Sequence, residues 1–180
     1  ALAQQINTLP AVQLAGIEFY EGVVKGAEPE QGVRQLVKQA ASLMQSLLKQ
    51  QLLQYPTALI SGAGSVWYDV VAEELTTALL PAQVKLVLRP GCYISHDQGI
   101  YQQAQLQVLA RSSLACSLGD DLQNALELAV YVQSLPEAGL AVLGFGKRDA
   151  AFDAGLPQAT ALYRHGMLLT DQLQNCETLK

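Results

Sequence analysis

Residues 57–88 read TALISGAGSVWYDVVAEELTTALLPAQVKLVL, and this stretch decides the fold class. Thr57-Ala58-Leu59-Ile60 is a short apolar run of the kind that forms a buried strand. Gly62-Ala63-Gly64-Ser65 interrupts it. Residues 66–80 then carry a helix pattern that Pro81 stops, and Val84-Lys85-Leu86-Val87-Leu88 is a further strand, closed by Arg89-Pro90-Gly91. A helix between two buried strands implies parallel pairing through a crossover. The same alternation extends upstream. Residues 12–20 read as a strand that ends in a glycine loop at 22–26. Pro29-Glu30 opens a long helix in which Val33, Leu36, Val37, Ala40, Met44, Leu47 and Leu48 make one apolar face, stopped by Tyr55-Pro56. The first half is therefore α/β, from a barrel or from a doubly wound sheet.

Beyond Gly91 the pattern changes. Residues 106–113, 128–132 and 138–144 read as strands without long helices between them, so this half is expected to be β-rich and antiparallel. The composition shift puts the domain boundary at about 89–98.

The chain has 180 residues, of which 50% are apolar and 15% charged, and its formal net charge is −5. That balance excludes intrinsic disorder. A sequence pI of 4.9 leaves no basic footprint for nucleic acid. The apolar runs stop well short of the ~20 residues of a membrane helix, so no membrane partner is expected. Cys92, Cys116 and Cys176 are odd in number and widely spaced. They fit reduced thiols, and hence a cytoplasmic protein, better than a disulfide framework. Ala1 opens within a helix pattern and Thr178-Leu179-Lys180 carries no cap signal, so both ends read as cut.

Gly62-Ala63-Gly64-Ser65, between strand and helix, is suited to an anion. Glycines let the backbone approach closely, and N–H groups near a helix start point at the ligand. The same residues also fit a tight turn that needs glycine for geometry alone. The loop is neither a Walker A loop nor a dinucleotide fingerprint. Arg89 ends a strand on the side where α/β proteins bind ligands, and reads either as an anion or ring contact or as a surface arginine at a domain junction. Tyr20 ends the first strand and fits ring stacking or plain packing. His96-Asp97 reads as an acid/base pair or as half a metal site, although neighbouring residues in extended chain face opposite ways and so chelate poorly. Lys147, Arg148, Asp149 and Asp153 form a charged turn that fits either a site or a solvated hairpin tip. With two histidines in the chain, a zinc site made by this chain alone is not expected.

Taken together, ISGAGSVWYD (60–69), VLRPGCYISHDQGIY (87–101) and GLAVLGFGKRDAAFDAGLP (139–157) resemble a known family in order and spacing. It is the pyridoxal-phosphate-dependent D-serine deaminase (dehydratase)/D-threonine aldolase family of the alanine-racemase-like fold, in its bacterial amino acid deaminase, aldolase or racemase form. AGIEFYEG (15–22) fits an earlier strand of the same barrel. The resemblance implies an α/β fold: closing strands and helices of a (β/α)8 barrel over 1–90, then a truncated β-rich D-serine dehydratase-like domain over 91–180. A complete barrel takes ~250 residues.

The resemblance further implies pyridoxal 5′-phosphate as cofactor. Its phosphate would lie on Gly62, Ala63, Gly64 and Ser65, with further backbone contacts from Gly91 and Cys92. Arg89 would face the pyridine nitrogen, Tyr20 would pack on the ring, Tyr93 would also contact the cofactor, and His96 and Asp97 would lie toward the substrate. Ala63 stands where the family often has glycine. The Schiff-base lysine would lie upstream of Ala1, since none of Lys25, Lys38, Lys49, Lys85, Lys147 and Lys180 matches its context. No catalytic residue and no metal ligand is then expected in this chain, and zinc or another divalent metal would be held by residues outside it. The implied enzyme is a lyase that deaminates a β-hydroxy D-amino acid to a 2-oxo acid and ammonia. Aldol cleavage to glycine and an aldehyde, or racemisation, is the alternative, and this chain alone would not turn over. The implied assembly is a homodimer in which Lys147, Arg148, Asp149 and Asp153 face a partner's site. The rival class is a non-catalytic anion-binding or interaction module.

Overall fold

A computed structural model describes residues 1–117, 122–153, 155–173 and 176–179. The chain divides into two compact units, Ala1–Ala125 and Leu126–Lys180.

The first unit is α/β. After a short helix α1 (Leu2–Ile6), its order is β1 (Gly16–Glu18), α2 (Pro29–Lys49), β2 (Ala58–Gly62), α3 (Tyr68–Thr77), β3 (Val84–Leu88), α4 (Ile100–Arg111) and α5 (Ser113–Ser117). The three strands form one parallel sheet in the order β1-β2-β3. Gly16 pairs with Leu59, and Ala58 through Gly62 pair with Val84 through Leu88. Alternate β2 residues Ala58 and Ile60 are buried against Val33, Val37 and Met44 of α2 and Val70, Val71 and Leu75 of α3. This cluster is the core, and its helical members recur at the spacing of one helix face. Gly16 is required by packing, because a Cβ there would collide with the backbone carbonyl of Leu59. Arg34 joins the helices, donating at 2.9 Å to Glu73 and Glu74 of α3.

Several sequence expectations need correction. The strand expected over 12–20 is paired only at Gly16–Glu18. The helix from Pro29 stops at Lys49, before Tyr55-Pro56. Gln51 takes a left-handed φ of 53°, while its N–H donates to Leu48 O and that of Leu52 to Leu47 O. That is a Schellman ending, built here without the glycine that usually marks one. The helix expected over 66–80 begins only at Tyr68 and ends at Thr77.

Residues 106–113 are not a strand. They belong mostly to α4, whose buried Ala104, Gln105 and Val108 follow helical spacing. Leu106-Gln107-Val108 alternates over too few residues to define a period, while Gln, Ala, Leu and Arg all favour helix. The boundary between compact units falls after Ala125, because α4 and α5 belong to the first unit, whereas the composition shift lies at 89–98.

The second unit holds two antiparallel hairpins, β4 (Val132–Glu137) with β5 (Leu140–Leu143) and β6 (Tyr163–Arg164) with β7 (Met167–Leu168). The strand expected over 128–132 is thus displaced toward the turn. The turn at Ala138-Gly139, with Gly139 at a φ of 84°, falls within the strand expected over 138–144 and divides it from β4. His165 and Gly166 both have positive φ, as a two-residue type I′ turn requires. No helix among the described residues is long and apolar enough to cross a membrane.

Candidate cofactor site

The C-terminal ends of β1, β2 and β3 bring together most of the residues singled out in the sequence. Three loops leave this edge, at 19–23, 62–67 and 89–93.

The middle loop follows directly from β2. Ala63 is buried with a left-handed φ of 73°, a conformation that costs an L-residue roughly 1–2 kcal/mol. This turn is what glycine would supply without strain. The N–H groups of Ala63 and Ser65 donate to no described residue. Helix α3 begins at Tyr68 with Trp67 before it, so Ser65 is not its N-cap. The Ser65 hydroxyl instead accepts the Cys92 N–H at 3.0 Å and ties the 62–65 loop to the 91–93 turn. Cys92 therefore directs its backbone donor at Ser65. A Cβ on Gly91 would meet only open space.

Arg89 spans the sheet edge. Its Nε donates to Ser61 Oγ at 2.8 Å, and Nη2 pairs with Glu18 Oε1 at 2.8 Å and reaches Phe19 O at 3.4 Å. It is thus a half-exposed cation braced across all three strand ends rather than a loose surface arginine. The Tyr20 ring is 57% exposed and leans over the loop, since a Cβ on Gly64 would come within 3.1 Å of it. Tyr93 is exposed and meets Tyr68 edge-on, with ring centroids 6.0 Å apart.

His96 is buried and Asp97 is engaged by the backbone at the start of α4. His96 has a φ of 37° and donates its backbone N–H to Cys92 O. Asp97 Oδ1 accepts the N–H groups of Gly99 (2.8 Å) and Tyr101 (3.1 Å), so it caps the start of α4. Lys147, Arg148, Asp149 and Asp153 lie in the second unit and are all exposed. Asp149 Oδ2 accepts the Gly146 N–H at 2.9 Å, and Lys147 rests over the Phe152 ring at 4.8 Å. These are contacts of a self-contained turn. None of Lys25, Lys38, Lys49 and Lys85 bonds to the three loops. Lys180 lies outside the described residues. Among the described residues no three His, Cys, Asp or Glu converge as a metal site.

Two residues of this edge were not evident from the sequence. Glu21 follows Tyr20 and is 1% exposed. Its Oε1 accepts the Gly64 N–H at 2.5 Å, and its Oε2 has no partner. Tyr101, on α4, is the other. Hydrogen bonding with the Cys92 thiol, then burial, pushes its phenol from 10.0 up to about 12. A raised acid loses its proton later in the folded chain than in the unfolded one. Its contribution to stability is therefore complete below pH 10.0 and is lost as pH rises through about 12. In an absorbance titration, Tyr101→Phe is expected to remove a late tyrosine ionisation step that the unaltered chain shows. A single common transition in both chains would contradict the Cys92–Tyr101 contact.

As a receptor for a phosphate ester carrying a flat ring, the edge fits in its donors. Ala63 and Ser65 offer N–H groups, Arg89 offers charge, and Tyr20 offers an exposed aromatic face. Two carboxylates are of opposite character, Glu21 on the Gly64 N–H and Glu18 on Arg89. No protein-family model matches the chain, and no curated protein is significantly similar to it.

Proposed function

We propose that the C-terminal edge of β1–β3 binds pyridoxal 5′-phosphate, and that the chain serves a pyridoxal-phosphate-dependent lyase acting on D-amino acids. The observation that carries this reading is the pairing of two loops. The 62–65 loop and the 91–93 turn, joined by the Cys92 N–H to Ser65 Oγ bond, lie at the ends of parallel strands beside a braced arginine. Ligands of α/β folds bind at that edge.

The strand order fits a barrel arc, the form the resemblance implies. β1, β2 and β3 are neighbours in chain order, and α2 and α3 share one core cluster against them. Either half of a doubly wound sheet runs in the same order, so it is the three-segment resemblance that favours the barrel. The three-segment resemblance supports the chemistry, namely deamination of a β-hydroxy D-amino acid to a 2-oxo acid and ammonia.

When bound, the cofactor supplies a sink for the negative charge that develops on substrate carbon. The residues of this chain bind and orient it. The Ala63 and Ser65 N–H groups hold phosphate oxygens, as unpaired amides of a tight turn do. Ser65 keeps the second loop in place. Tyr20 packs against the ring, and Arg89, immobilised by Ser61 and Glu18, presents a fixed cation.

Ser65→Glu sets a like charge against the phosphate and is expected to weaken pyridoxal 5′-phosphate binding by about tenfold or more. Ser65→Thr, which keeps the hydroxyl, is expected to retain most of the affinity. Equal affinity in Ser65→Glu and the unaltered chain, by equilibrium dialysis, would remove the loop from the site.

A further inference from the structure

The Glu21 carboxylate already occupies part of the anion cradle. It is almost completely buried, accepts the Gly64 N–H through Oε1, and leaves Oε2 without a partner. No lysine, arginine or histidine pairs with it among the described residues. A buried carboxylate without a cation is costly and persists only where local dipoles hold it. Here the dipole is that of the loop N–H which an incoming anion would use. A buried polar atom left unsatisfied calls for a reason in function or strain. Position gives one: Glu21 opens a 3-10 turn (Glu21–Val23) directly after the exposed Tyr20, at the mouth of the same loop.

We propose that Glu21 is an internal gate of the phosphate loop. Its carboxylate competes with phosphate for the Gly64 N–H and must swing away for the anion to seat fully. The proposal rests on the reading of residues 62–65 as a phosphate site and adds its regulation. It assigns the loop a carboxylate-capped and a phosphate-capped form, exchanged by movement of the 19–23 turn. No bond is made or broken in the exchange. Because two anions cannot share one donor at close range, the gate also selects for ligands whose remaining contacts hold Tyr20 and the 91–93 turn.

The test is inorganic phosphate binding to the unaltered chain and to Glu21→Gln, which keeps size and removes charge. The gate predicts binding about tenfold tighter or more in Glu21→Gln. Equal or weaker binding in the variant, with the unaltered chain still binding phosphate at Ala63 and Ser65, overturns the gate and leaves the phosphate site standing. No binding by either chain overturns the site and the gate with it. Should Glu21→Gln fold poorly, nuclear magnetic resonance of the unaltered chain decides. Under phosphate titration the gate predicts that the Gly64 amide and the Glu21 side-chain carboxyl shift together with one midpoint. A Gly64 shift with the Glu21 carboxyl unmoved overturns it.

Discussion

Arg111→Ala is expected to lower the stability of the first unit by about 3–5 kcal/mol. Arg111 ends α4, and its Nε and Nη2 both reach Asp69 at 2.7 Å in a two-pronged pair. Nη2 also donates to Val66 O at 3.0 Å, and the guanidinium lies 4.5 Å from the centre of the Trp67 ring. The side chains are only 16% and 8% exposed. Removing the arginine strands the Asp69 carboxylate where water cannot replace its partner, and unpins α4 from the loop that leads into α3. Removing both charges leaves no orphan, so Arg111→Met with Asp69→Leu is expected to recover much of the loss. Denaturant unfolding of the three chains measures this. A loss below about 1 kcal/mol for Arg111→Ala would mean that the pair behaves as an exposed one.

Gly16→Ala is expected to cost about 3 kcal/mol and to disturb the site as well. The new methyl meets the Leu59 carbonyl, which belongs to the backbone and has no rotamer to yield. β1 is three residues long, so it has little pairing to retain its place if pushed away. Tyr20 and Glu21 follow it after Phe19. The expected signature is therefore double: a lower unfolding midpoint, and a shifted Gly64 amide resonance as the bond to Glu21 loosens. A stable Gly16→Ala chain with an unchanged Gly64 amide would show that β1 does not position the loop.

The parts of the fold that the sequence made legible are those where local signals and tertiary packing agree. α2 carries a long apolar face opened by Pro29. β2 is bracketed by Pro56 and the glycine loop, and β3 by Pro81 and Pro90. α4 is not evident in the sequence because Leu106-Gln107-Val108 alternates over too few residues to tell a strand from a helix. What fixes it as helix lies elsewhere, in the Asp97 cap and in the pairing of Arg111 with Asp69. The loop at 62–65 and Arg89 each admitted two readings in the sequence, a ligand contact or a tight turn and a surface arginine, and the contacts that brace Arg89 come from Ser61 and Glu18, far off in the chain. Glu21 was not legible, since a glutamate in a turn reads as solvated. Its burial depends on Gly64, 43 residues away, coming close enough to hold it. Ser65 shows the converse: its residue type suits an N-cap, but Cys92 from the next loop takes its hydroxyl.

The proposed role of the backbone amides of residues 62–65 is to receive the phosphate of pyridoxal 5′-phosphate. Titrating isotopically labelled chain with that compound, and separately with pyridoxal lacking the phosphate, tests it most directly. The Ala63 and Ser65 amide resonances are expected to move saturably with the phosphorylated ligand and to stay in place with pyridoxal. Amides that stay in place under both ligands, or move equally under both, would contradict the account.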